Sequence, residues 1–347
     1  MSSVVALLTP TAARIHIGLL IALYVLSGLG EGVMVPVRQT MIARWSAPKY
    51  HSTVTNAISD GLDTGLVVGM FLAGVLCDYG FAGGWPSVFY VFGMFGCVWA
   101  ILWSLLCYNS PSTHPLISTV EREYWQRTIG AAVKAERVPT PFRKIFTSAP
   151  VWALAIAFFA VNWSSITIST CLPLYLHDVL GVDMITNGTI SAVSLSASVI
   201  FTPIVGFAAD WLRAPGRLST NVVRKTFCVV GFIFSGVFII VFGYTDCNVV
   251  LAVAVIFIYM IFGDIGTSTV IANQLDLAPV HAGTIMGLSC TAGNIAAIGA
   301  PLAVGAMTSQ STLAQWQSVF YLAAAVYAFG AIVYLLFGSG NRQSWAD

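Results

Sequence analysis

Apolar residues in this chain come in long unbroken runs, not in alternation with polar ones. Nine runs stand out, at 15–37, 61–77, 86–107, 150–171, 184–208, 226–243, 248–272, 284–306 and 316–337. A helix that crosses a bilayer needs roughly 20 mainly apolar residues, and continuous apolarity argues against the alternating strands of a membrane barrel. The pattern predicts an all-α membrane protein with about nine transmembrane helices. The longest polar stretch, 109–149, reads as a linker that divides the chain into 1–108 and 150–338, with a short tail at 339–347.

Charge then orients the runs. Thirteen of the fifteen basic residues fall after the first, third, fifth and ninth runs: Arg44, Lys49, Arg122, Arg127, Lys134, Arg137, Arg143, Lys144, Arg213, Arg217, Arg224, Lys225 and Arg342. The intervening loops carry acids instead: Asp78, Asp178, Asp183 and Asp246. Basic loops stay in the cytoplasm, so the linker and the C-terminus are expected there.

Composition narrows the class further. Hydrophobic residues make up 57% and charged residues 8%, against about 25% charged in soluble domains. A net charge of +1 offers no footprint for nucleic acid. The seven cysteines stand singly and the five histidines lie in different segments, so neither a disulfide framework nor a metal site is expected. No catalytic constellation is visible, and neither an enzyme nor a bound cofactor is expected.

An internal repeat adds the most. WPSVFYV at 85–91 returns as WQSVFYL at 316–322, an offset of 231 residues. The same offset carries Ala47-Pro48 onto Ala278-Pro279, Thr53 onto Thr284 and Gly74 onto Gly305. The matching segments face the same side, as in parallel transporter repeats. The second WxSVFY opens the sixth run of 150–338, and the first opens only the third run of 1–108. The repeat thus predicts a six-plus-six arrangement of which most of the first three spans are missing here.

GLGEG at 28–32, WPSVFYVFG at 85–93, YNSPSTHPLIS at 108–118, LSTNVVRK at 218–225, NQLDLAP at 273–279 and GTIMGLS at 283–289 together resemble one branch of the major facilitator superfamily. That branch holds sialin, the vesicular glutamate and nucleotide transporters and the sodium/phosphate cotransporters. LLTPTAA at 7–13 resembles the end of the family's third span. The resemblance implies the six-plus-six facilitator fold and alternating-access transport of a small organic anion. Protons, sodium or membrane potential drive it, in lysosomal or vesicular membranes more than the plasma membrane.

The candidate residues follow. Tyr24, Glu31 and Arg38 are spaced by seven on the first run, which would stack them on one helical face about 10 Å apart. An acid at that depth is a functional candidate by default, and the resemblance marks Glu31 as the main proton-coupling residue. Gly28, Gly30 and Gly32 beside it would let a neighbouring helix approach closely. Several family members have an arginine where this chain has Tyr24 and a histidine where it has Gln39, and the vesicular glutamate transporters have an arginine at the position of Val161. Asn162-Trp163 matches the sialin-like members. Tyr24, Arg38, Asn162 and Trp163 are therefore the substrate and cavity candidates, with snorkelling to the interface the plainer role for Arg38.

Asp60 and Asp63 open the second run, where Asp63 is a second proton or cation candidate, or else an acid favoured by a helix start. Asp264 lies deeper. Asp210 and Arg213 in GFAADWLR, and Asp276 just before Pro279, are candidates for gating. The expected function is proton-coupled symport of a small organic anion. The alternatives are sodium-dependent phosphate cotransport, with Asp60 and Asp63 as sodium ligands, or a truncated form that does not transport.

Overall fold

The computed structural model describes residues 1–47, 50–109, 114–115, 117–123, 125, 139–178, 184–214, 218–245, 249–309 and 312–346. For residues 63, 67, 70, 71, 74, 78, 170–178 and 184–197 it describes the backbone alone. The helices are α1 (Ser2–Ile15), α2 (Ile17–Glu31), α3 (Met34–Trp45), α4 (His51–Tyr79), α5 (Trp85–Leu106), α6 (Phe142–Thr147), α7 (Ala149–Asp178), α8 (Met184–Leu212), α9 (Thr220–Phe242), α10 (Val249–Leu277), α11 (Ala282–Met307) and α12 (Leu313–Phe337), with a 3-10 turn at Pro279–His281. Among the described residues, seven helical stretches are long and apolar enough to cross a membrane, α2 and α3 counting together as one of them.

Several helices outrun the apolar pattern. α4 begins at His51, ten residues before the expected start at 61, because His51, Ser52, Thr55 and Asn56 are buried against other helices and need not be apolar. Positions 60 and 63 therefore lie within a helix and not at its start, which removes the helix-start reading of Asp60 and Asp63. α10 runs on to Leu277, where the residue before Pro279 turns extended, as a residue preceding proline prefers. The run at 15–37 is two helices. Proline has no N–H to give Gly32, four residues before Pro36, and the helix breaks at 32–33 beside Glu31.

The helices after the linker form one packed set. α9 packs on α10 and α12, and α7 packs on α11 and α12. Phe232, Leu154, Tyr327, Trp316 and Phe320 fill the space between them. α9 and α10 meet closely: a Cβ added at Gly231 would lie 2.5 Å from the backbone N of Gly266. Small residues at such crossings are how membrane helices gain contact when lipid is as apolar as leucine.

Before the linker, α1 packs on α5 and α2, and α4 on α5. α2 buries none of its residues. The offset of 231 carries the start of α4 at His51 onto the start of α11 at Ala282, and the end of α5 at Leu106 onto the end of α12 at Phe337. Environment does not follow the repeat: Trp316 is 1% exposed and its counterpart Trp85 is 43% exposed. The two sets meet along two lines, α4 against α8 and α10, and α3 against α11.

Gly231→Ala should lower the thermal unfolding midpoint in detergent by several degrees, since overpacking costs about 1–3 kcal/mol. Gly236→Ala, whose added Cβ meets nothing nearer than 3.6 Å, should leave it within a degree or so. Equal shifts would contradict the α9–α10 crossing.

Candidate functional site

The polar ends of α4, α8, α9 and α10 converge on one carboxylate. Arg213 Nη2 donates to Asp276 Oδ1 at 2.8 Å, and Arg224 Nε donates to Asp276 Oδ2 at 2.7 Å. Arg224 Nη2 is also 2.7 Å from Oδ2, and His51 Nδ1 stands 3.7 Å from Oδ1. Arg213 Nη1 reaches back to Asp210 Oδ1 at 3.4 Å. The other oxygen of Asp210 accepts from both Thr53 N and Thr53 Oγ1 at 2.8 Å. A carboxylate from α8 thus caps the first turn of α4, where free N–H groups and the positive helix end favour an anion. Arg224 Nη1 donates to Ser52 Oγ at 3.0 Å.

This seam is dry. Arg224 is 1% exposed, and the side chains of Asp276, Asp210 and Arg213 are nearly as covered. Burial pushes the Arg213 guanidinium below its ordinary value, and the Asp276 carboxylate pushes it back up. Asn56 extends the contact inward, donating to Thr202 O at 2.8 Å and accepting from Ser268 Oγ at 2.7 Å. A Cβ at Gly206 would lie 2.6 Å from the Asn56 amide nitrogen, so α8 approaches α4 this closely only because of that glycine. On the second line, Gln39 Nε2 donates to Ile271 O at 2.9 Å.

Asp210, Arg213 and Asp276 therefore lie together. Sequence reasoning passed over their partners. Arg224 counted as one more basic residue beside the membrane, and it is buried instead. His51 counted as a scattered histidine. The sequence signal is Ser219, a favoured N-cap residue; it accepts from Val222 N at 3.3 Å, which puts Arg224 inside the helix, one turn from its start.

The intramembrane candidates are dispersed. Glu31 is exposed at the break after α2 and accepts from Ser27 Oγ at 2.9 Å. Tyr24 is exposed on the same helix. Gly32 and Val33 keep helical dihedrals between the two helices, and Arg38 belongs to α3, half-buried toward Cys290 on α11. Its Nε has no hydrogen-bond partner among the described residues. Of the three glycines around Glu31, only Gly30 is closely covered, by the side chain of Met1, and Gly28 has nothing within 4 Å. Asn162 donates to Phe158 O at 2.8 Å and packs against Gly293, while Trp163 stacks on Phe159 and meets Gly299. Both face α11. The Asp63 side chain lies outside the described residues.

A family model described as Major Facilitator Superfamily matches residues 1–301. Sialin of Ovis aries is 36% identical over 345 residues, covering 99% of this chain and 69% of sialin. The chain belongs to the Major Facilitator Superfamily. Within it, vesicular glutamate transporter 3 of Danio rerio is 38% identical and human vesicular glutamate transporter 2 is 37% identical, each over all of this chain. The chain spans 59% and 60% of their lengths. Among solved structures, a facilitator titled as a proton:xylose symporter superposes with a TM-score of 0.69 at 11% identity, over 98% of this chain and 80% of its own. The E. coli fucose:proton symporter gives 0.62 at 12%, over 95% and 80%. At such identities the likeness is one of fold. This facilitator is a multi-pass membrane protein related to sialin and the vesicular glutamate transporters.

Removing one partner of a buried pair strands the other charge, at about 3–5 kcal/mol. Asp276→Asn should therefore lower the unfolding midpoint far more than Glu31→Gln, whose carboxylate is exposed. Similar shifts in a thermal unfolding series would refute the burial of the seam.

Proposed function

We propose that this facilitator is a secondary active transporter of a small organic anion, working by alternating access. The observation that carries the reading is the seam on Asp276, which closes the two helix sets against each other at one end. Its charges pair within the set after the linker, and α4 completes their contacts through Ser52 to Arg224, Thr53 to Asp210 and His51 beside Asp276. Separation of the sets would expose Asp276, Arg213 and Arg224 to water, where each is solvated, so the seam can open without stranding a charge. Asp210, Arg213 and Asp276 are then gating residues, with Arg224 and His51 beside them. The basic residues beyond the linker side make this end cytoplasmic.

Past the seam, α3 presents Arg38 to α11 inside the span. A guanidinium there, with its Nε unengaged among the described residues, suits a planar carboxylate. Asn162 and Trp163, on α7 against Gly293 and Gly299 of α11, supply an amide and an aromatic wall. Tyr24 lines the approach from α2. Glu31, exposed where Pro36 breaks the helix, can take up and release a proton without unfolding its surroundings, and it is the coupling residue of this reading, with Asp63 in support. The names of the vesicular glutamate transporter relatives favour an organic anion and a vesicular membrane.

Uptake into proteoliposomes with a panel of carboxylates, under separate proton and sodium gradients, tests the proposal. Proton-driven uptake should be lost in Glu31→Gln with protein yield unchanged. Arg38→Gln should raise the half-saturating anion concentration roughly tenfold or more, the loss of one charge-assisted contact. Uptake that follows sodium alone, or that ignores both substitutions, would overturn it.

A further inference from the structure

The chain does not trail away after α12. Ser339 O accepts from Asn273 Nδ2 at 2.9 Å, and Gly340 N donates to Asn221 Oδ1 at 2.9 Å. Gln343 N donates to Leu277 O at 3.0 Å. That carbonyl is one of the last four of α10, which have no acceptor role within the helix and need a donor from elsewhere. Trp345 lies against His281 with ring centroids 6.5 Å apart, and Ala346 is wholly buried in the core of the C-terminal set. The segment also holds its own shape, through Asn341 N to Ser339 Oγ at 3.1 Å, Gln343 Nε2 to Asn341 O at 3.1 Å and Ala346 N to Gln343 O at 3.0 Å.

The places it touches are not scattered. Asn221 is one turn before Arg224 on α9. Asn273 and Leu277 flank Asp276 on α10. His281 closes the 3-10 turn that packs on α3 of the other set. The segment therefore fastens the two helix ends that carry Arg224 and Asp276, and the turn that meets the opposite set.

We propose that residues 339–346 are a conformational strap that keeps Arg224 and Asp276 in register and so biases the protein toward the state with the seam closed. The proposal rests on the alternating-access reading of the seam. When the strap is seated, the end of α10 is held on both sides of Asp276, and Arg224 and Asp276 stand where Ser52 and His51 of α4 meet them without further ordering. When it lifts, Leu277 O loses its donor, α10 frays from its end, and the closed seam loses population to the open one.

The reporter is Ala43→Cys, on α3 and buried against Leu275 and Ala282 of the other set. Its labelling by a membrane-impermeant maleimide is read in the full chain in liposomes, above the background of the native cysteines and well below the unfolding midpoint. Removal of residues 339–347 should raise the labelling rate about fivefold, the shift that one ordinary hydrogen bond provides. Should that deletion fail to fold, Gln343→Pro removes the N–H that reaches Leu277 O together with the side-chain contact to Asn341 O, and Trp345→Ala removes the packing on His281 and on the adjoining core. Each should raise the rate in the same direction.

Asp276→Asn separates the two readings. If it raises labelling and no strap variant does, the strap proposal is overturned and the seam stands as the gate. If Asp276→Asn also leaves labelling unchanged, the seam is not the gate and the strap proposal falls with it. A strap that only added stability would lower the unfolding midpoint and leave labelling as it was, which also overturns the proposal.

Discussion

A carboxylate shared between two guanidiniums, out of reach of water, fixes the arrangement of four helices at once. Each charge in the set of Asp276, Arg213, Arg224 and Asp210 would be costly to bury alone, and together they are tolerable only with short contacts to one another. The requirement therefore dictates where α8 must end, how far α9 must begin before its apolar stretch, and why α10 must run past its apolar stretch to Asp276. It also places α4, whose first turn offers Thr53 N–H to Asp210 and His51 to Asp276. The polar extension of α4 back to His51 is then intelligible: those residues are inside because they face other helices' polar ends.

The same interaction gives the protein two states to choose between. A buried ion cluster in one helix set takes its remaining contacts from α4 of the other set when closed and from water when open. Hydrophobic contact between the sets would favour closure without any such alternative. Glycine at 206 lets the contact be close, and Asn56 continues it toward the membrane interior with hydrogen bonds that are made across the sets. The strap after α12 acts on this cluster from outside by holding the ends of the helices that carry it.

The repeat shows how one pattern can meet two environments. WPSVFYV and WQSVFYL form matching helices, yet Trp316 lies in a packed core formed with α9 and Trp85 is exposed. In lipid, an apolar side chain is acceptable whether it faces a neighbouring helix or the hydrocarbon, so hydropathy carries no record of which. Glu31 is the polar counterpart of the same ambiguity. Its depth in the span marks it as special, but hydropathy does not tell that it is exposed on a helix that buries none of its residues, beside Ser27 one turn earlier.

Length and continuity of the apolar runs determined the helices, and the spacing of the repeat determined that α4 and α5 correspond to α11 and α12. Motif segments pointed to the superfamily by resemblance, among them NQLDLAP, which holds Asp276. Tertiary structure alone decided that Arg224 is not a headgroup contact but the second partner of Asp276, that His51 belongs beside them, and that the tail returns to fasten α9 and α10. The reason is physical. Periodicity and hydropathy report how a residue meets an average solvent, water or lipid. A charge buried in a protein meets specific partners more than 50 positions away in the chain, 52 for Arg224 and 63 for Arg213, and only the packing of the helices brings those partners to it.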